Sequence, residues 1–161
     1  MLAATESPMS HSKMMVPFVL SVRNVLSTMM HVSMTIGPIT LKQAAQRGYD
    51  VSGIIGFSGG VTGSVVIGMS TPVAVKLVNA FAGSPFPPGT ADFTDAIGEL
   101  ANMIAGSAKQ NMGVLASITV PTVIFGSNHQ TATVSGAPCI IIPCLTDLGN
   151  FEVEVNIKQT N

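Results

Sequence analysis

The run DAIGELANMIAGSAKQNM, which begins at Asp95, reads as an amphipathic helix. Ile97, Leu100, Ala101, Ile104, Ala105 and Ala108 recur at three- and four-residue intervals, so a helix buries them together on one side. An α-helix turns about 100° per residue, which returns Asp95, Glu99 and Asn102 to one polar face within roughly 40°. Gly106 and Lys109 extend that stripe, and Gly98 lies close beside it. Each helix-interior glycine costs about 0.5–1 kcal/mol relative to alanine, and close approach by another surface is a physical reason to keep it. A bare strip flanking Glu99 and Asn102 lets a partner's backbone reach them. The alternative is a solvated helix face whose glycines are tolerated by packing.

A chain of 161 residues with 47% hydrophobic and only 9% charged residues is long enough for one domain with a sizeable core. Much of its surface must then be Ser, Thr, Gly and Asn, or be covered by a partner, which favours a homodimer that buries an edge strand. The net charge of -1 comes from scattered residues without a basic patch, so nucleic acid is a poor partner. Cys139 and Cys144 stand five positions apart along an extended segment, so they point to opposite faces and read as unpaired buried thiols in a reducing compartment. His11, His31 and His129 share no spacing, which argues against a metal site. The charge-free stretch from Val51 to Val75 matches a membrane span in length, but its glycines and the Gly59-Gly60 break mark a hairpin. The stretch MMVPFVLSV is followed by Arg23 and Asn24 without a small-residue cleavage pattern. The expectation is a cytoplasmic protein with no membrane association.

Residues 1–12, with Pro8 and several serines, read as a flexible N-terminus, and 13–161 as a single domain. Helical spacing from about Val16 to Met30 places Val19, Val22, Leu26 and Met29 on one side. Strand-like runs follow near 32–45, 50–58 and 61–70, then a short helix near 71–82 with Pro72 in its first turn. GSPFPPGT connects to the long helix, with Thr90 as its cap and Asp92 favourable near its N-terminus. Four more strands are expected near 115–126, 130–135, 138–145 and 150–158, with turns at Ser127-Asn128, Gly136 and Gly149-Asn150. The repeated order of long helix then strands suggests an internal duplication. Ser21 and Asn24 repeat the three-residue separation of Glu99 and Asn102, although no carboxylate stands at Ser21. GGVTGS lacks the lysine of a phosphate-binding loop and reads as a turn, and Met14-Met15 and Met29-Met30 read as packing residues.

The segments YDVSGIIGFSGGVTGSVVIGMS, DAIGELANMIAGSAK and PTVIFG, with IIIP and FEVEVNI, resemble the CheX branch of the CheC/CheX/FliY chemotaxis phosphatases over residues 16 to 158. The family signature is Asp or Ser, three residues, Glu, two residues, Asn and a downstream Pro; Asp95, Glu99, Asn102 and Pro121 match it. The interval from Asn102 to Pro121 is shorter than the family's usual spacing by about four residues, which trims the loop after the helix. Ser21 stands where a two-site member has Glu, which resembles CheX in leaving one usable site per chain.

The resemblance implies an α+β fold, with two long helices packed on an antiparallel sheet and pseudo-twofold halves. It also implies hydrolysis of the aspartyl phosphate on a phosphorylated CheY-like response regulator. The chain needs no cofactor of its own for this, because the regulator holds the phosphoryl group and its Mg²⁺. Asn102 would orient the attacking water, and Glu99 would pair with the regulator's lysine near the phosphate. Asp95, Gly98, Gly106 and Lys109 would contact the partner. Two other classes remain open: a non-catalytic receiver-binding adaptor of the same fold, and a purely structural oligomer that binds no receiver.

Overall fold

Two long antiparallel hairpins form the centre of the sheet. The computed structural model describes residues 8–43, 48–132 and 136–160. Helix α1 (Pro8–Val25) continues into a π-helical turn (Leu26–Met30) and is followed by the short strands β1 (Thr35–Ile36) and β2 (Thr40–Leu41). The first hairpin is β3 (Tyr49–Gly59) and β4 (Val61–Met69), turned where Gly59 adopts a φ of 100° that a side chain resists. Helices α2 (Thr71–Ala82) and α3 (Ala91–Asn111) come next, then β5 (Ala116–Ile118) and β6 (Thr122–His129). The second hairpin is β7 (Ile140–Thr146) and β8 (Gly149–Gln159).

All pairings are antiparallel, and β4 joins β8 in register from Val61↔Gln159 to Gly68↔Glu152. The order is β1-β7-β8-β4-β3-β5, with β2 also on β7 and β6 also on β3. Each half's short leading strands therefore pair with the other half's hairpin, and the order is symmetric about the β4 and β8 pair. One face of this sheet carries Val51, Ile55, Val65, Ile67, Val153, Val155 and Ile142, which form a single core with Phe18, Val22 and Leu26 of the first helical segment and with the buried side of α3. The layered α+β architecture is the one expected.

Several boundaries differ from the expectation, each for a local reason. Helix α1 begins at Pro8, because a proline in the first turn has no N–H to leave unsatisfied. Up to residue 43 the expected strand at 32–45 consists of two two-residue pieces, interrupted where Gly37 donates to the Pro143 carbonyl and Pro38 has no donor, and 44–45 lie outside the described residues. Pro121 likewise separates β5 from β6 within the expected 115–126 strand. The expected turn at Ser127-Asn128 is a bulge inside β6: Asn128 adopts a left-handed φ of 52°, and its N–H donates to Asp50 Oδ1. The expected strand at 130–135 is irregular chain over 130–132, and its remainder falls outside the described residues.

The sheet face away from the helices is polar and tightly paired. Glu154 on β8 is 3% exposed, and its Oε1 accepts from Lys42 Nζ at 2.7 Å and from Thr131 Oγ1 at 3.1 Å. Lys42 Nζ also donates to the Thr131 carbonyl, so one ammonium ties the chain after β2 to the chain after β6 and to β8. Tyr49 Oη donates to Glu152 Oε2 at 2.8 Å; burial first, and the neighbouring Glu154 second, hold its phenol far above the ordinary range. Both thiols are free and buried, and the same desolvation pushes Cys139 up to about 11 and Cys144 up to about 12. Losing one partner of a buried pair leaves an uncompensated charge, so Lys42→Met is expected to cost about 3–5 kcal/mol in urea unfolding. Adding Glu154→Gln should recover much of that loss; a single-variant cost below about 1 kcal/mol would show that the pair does not hold these segments.

Candidate functional site

Helix α3 starts at Thr90, whose Oγ1 accepts from the Phe93 N–H at 3.3 Å, with Asp92 in the favourable first turn. Its position is fixed by three contacts. Against β3, a Cβ on Gly53 would lie 2.9 Å from Ala101 Cβ, so the glycine lets the helix lie close on the sheet. Against α1, the buried Ser21 Oγ donates to the Ile104 carbonyl at 2.5 Å. Against the start of β6, a Cβ on Gly98 would meet Pro121 Cγ at 3.3 Å and Val123 Cγ2 at 3.5 Å.

These contacts leave one arc of α3 facing outward. Asp95 and Glu99 are exposed, and Asn102, Gly106 and Lys109 are half-buried. Among the described residues, the side chains of Asp95, Glu99 and Asn102 form no hydrogen bond or ion pair with the rest of the chain, so their polar groups face outward unused. A Cβ on Gly106 would meet nothing within 4 Å, whereas Gly98 is buried. The two glycines thus serve different surfaces: Gly98 makes room for Pro121 of the same chain, and Gly106 leaves the stripe open. Thr94, Asp95, Gly98, Glu99, Pro121 and Val123 line a shallow depression beside the stripe. The sequence pointed to four of these six; Thr94 and Val123 carry no chemical signal and become visible only when β6 is laid beside α3.

The sequence-matched pair on α1 does not form an equivalent face. Ser21 is 1% exposed and committed to Ile104, while Asn24 is exposed. A separate hollow on the opposite sheet face is lined by Lys42, Tyr49, His129, Glu152 and Glu154 among others, and most of these polar groups are engaged within the chain. His129 Nε2 lies 2.7 Å from Ser52 Oγ, and its Nδ1 lies 2.7 Å from the Gly126 carbonyl. Among the described residues, no group of three or more His, Cys, Asp and Glu is placed to hold a metal, and no helix is long and apolar enough to cross a membrane.

Residues 51–145 match the family model described as chemotaxis phosphatase CheX, a span that takes in β3 from Val51 onward, β4, α3 and Pro121. The chain belongs to the CheX family. Its fold matches the solved CheX of Desulfovibrio desulfuricans with a TM-score of 0.81 at 33% identity, covering 92% of this chain and 99% of that one. It also matches the solved complex of CheX with CheY, BeF3 and Mg²⁺ from Borrelia burgdorferi, with a TM-score of 0.74 at 25% identity over 90% of this chain and 97% of that one. The CheY-P phosphatase CheX of Thermotoga maritima is 36% identical over 77 residues, which are 45% of this chain and 50% of that protein. The curated match thus spans about half of each chain's length.

In this CheX-family chain the burial of Ser21 makes a testable distinction. Ser21→Glu forces a carboxylate into the α1 and α3 contact and is expected to lower stability by about 3 kcal/mol or more. Asn24→Ala should stay within about 0.5 kcal/mol. Equal and small effects on urea unfolding would show that Ser21 is not committed to that contact.

Proposed function

We propose that this chain accelerates hydrolysis of the aspartyl phosphate on a CheY-like response regulator. The observation that carries the reading is the outward arc of α3, where an uncommitted carboxylate and carboxamide lie beside open space at Gly106. The regulator brings the phosphoryl group and its Mg²⁺, so the task left to this chain is to place a water in line with phosphorus. The carboxamide of Asn102 suits that task because it accepts one of the water's hydrogens while its own N–H₂ donates to a phosphoryl oxygen. The water oxygen bonds to phosphorus as the bond to the aspartate oxygen breaks, releasing inorganic phosphate and the regulator's free carboxylate. Glu99, one turn earlier, pairs with the regulator's lysine near the phosphate and holds α3 in register. Asp95, Gly98, Gly106 and Lys109 border the docked surface. No nucleophile on this chain is required.

The reading includes self-association. Leu41, Leu115 and Val120 are 60%, 93% and 84% exposed in or beside the outer strands β2, β5 and β6, an apolar load that favours a homodimer in the cytoplasm. Light scattering should give twice the chain mass at micromolar concentration; a monomer mass throughout would remove the dimer.

Phosphate release from a panel of phosphorylated receivers tests the activity. Asn102→Ala should slow release on the order of a hundredfold while keeping most of the binding, because it removes a positioning group. Glu99→Ala should weaken both binding and turnover. Receiver binding without accelerated release by the wild-type chain would favour the adaptor. Gly106→Leu should gain about 0.5–1 kcal/mol of stability and lose activity, since leucine favours the helix but fills the open strip. Normal activity in that variant would show that no partner approaches Gly106 closely.

A further inference from the structure

The depression beside Glu99 has two unlike walls. One is the polar edge of α3, from Thr94, Asp95 and Glu99; the other is contributed by β6, with Pro121 just before the strand and Val123 within it. Side chains alternate along a strand, so Phe125 stands on the same face as Val123. The structure bears this out: the Phe125 ring meets the fully buried Phe93 of α3 in an edge-to-face contact, with centroids 5.9 Å apart and planes at 72°. Behind it, Gly89 adopts a φ of 81°, and a Cβ there would lie 3.3 Å from the ring. Phe125 is held on one side by Phe93 yet remains 47% exposed. A fixed, half-uncovered aromatic ring is an anchor of the kind that contributes heavily at protein interfaces.

We infer that Pro121, Val123 and Phe125 form an apolar shelf that receives a nonpolar side chain of the receiver when its lysine reaches Glu99. This rests on the proposed phosphatase reading and adds to it the second half of the recognition surface. What assigns the shelf to the receiver is continuity: Pro121 and Val123 already line the depression whose opposite wall is Asp95 and Glu99, so a partner seated against those carboxylates lies over the shelf. Charge adds a requirement. Two exposed carboxylates along one side of an apolar row suit a partner surface that sets a cation beside an apolar group, and they disfavour an acidic one. The two walls then divide the work. The α3 arc acts on the phosphate, and the shelf supplies contact area and discriminates among receivers.

The chain has no tryptophan, so Phe125→Trp places a single reporter on the shelf. Titrating this variant with a tryptophan-free receiver in its BeF3-activated form should shift the emission to shorter wavelength with the same midpoint as binding measured calorimetrically. In steady state, Phe125→Ala should lower kcat/KM about tenfold, with the loss in KM, while Phe125→Tyr, which retains the ring, should stay within about twofold of wild type. Unaltered emission at saturating receiver, or an unchanged KM in a folded Phe125→Ala protein, would overturn the shelf. Conversion of a dimer to a monomer by Phe125→Ala would also overturn it, by assigning the ring to a second copy of the chain. Failure of the wild-type chain to dephosphorylate any receiver would instead remove the phosphatase reading on which the shelf rests; the emission shift on receiver binding is read separately from it. If Phe125→Ala does not fold, the emission titration alone decides.

Discussion

The close seating of α3 on β3 is the contact on which the site depends. Gly53 removes the one side chain that would stand between the helix and the strand, and Ala101 occupies that space. A helix laid this near the sheet cannot roll freely, because Ser21 holds its Ile104 carbonyl from the α1 side and Pro121 lies over Gly98 from the β6 side. Rotation and height are both set. The remaining arc is the one bearing Asp95, Glu99, Asn102, Gly106 and Lys109, and among the described residues the side chains of Asp95, Glu99 and Asn102 make no hydrogen bond within the chain. A group that is to orient a water within a few tenths of an ångström needs this kind of rigid support.

The same contact separates the two halves of the chain chemically. The strand order is symmetric about β4 and β8, with long helices α1 and α3 lying on one face. The helices nevertheless have different jobs. α1 turns Ser21 inward as a donor to α3, whereas α3 turns Glu99 outward. One helix has become the support for the other. Symmetry in the sheet is therefore not repeated in the outward faces of the two helices, and the polar network around Glu154 on the far face ties separate segments of the chain together.

Much of the α3 face was legible in the sequence because helical periodicity is a short-range signal: the apolar row, the Thr90 cap and the polar stripe all fall within about two dozen residues. The hairpin at Gly59-Gly60 was legible for the same reason. What escaped depends on distant partners. Lys42 and Glu154 are 112 positions apart, and nothing near either residue announces a buried pair. Ser21 and Ile104 are 83 apart, so the sequence gives no sign that the first-helix serine faces inward. The Asn128 bulge carries the same residue chemistry as a turn and was read as one. Gly98 reads in the sequence as leaving room for a partner, whereas the surface packed against it in the fold is Pro121 of the same chain.

If a water positioned by this chain attacks phosphorus on a docked receiver, the oxygen of that water ends in the released phosphate and can be traced. A phosphorylated receiver is mixed with the chain in ¹⁸O-enriched water, and the released phosphate, the receiver and the chain are each weighed by mass spectrometry. Release should accelerate with chain concentration, with one solvent oxygen in each phosphate, none in the receiver's aspartate, and no phosphoryl group on this chain. Label in the aspartate carboxylate, a phosphorylated intermediate on this chain, or release no faster than from the receiver alone would rule out a water placed by this chain.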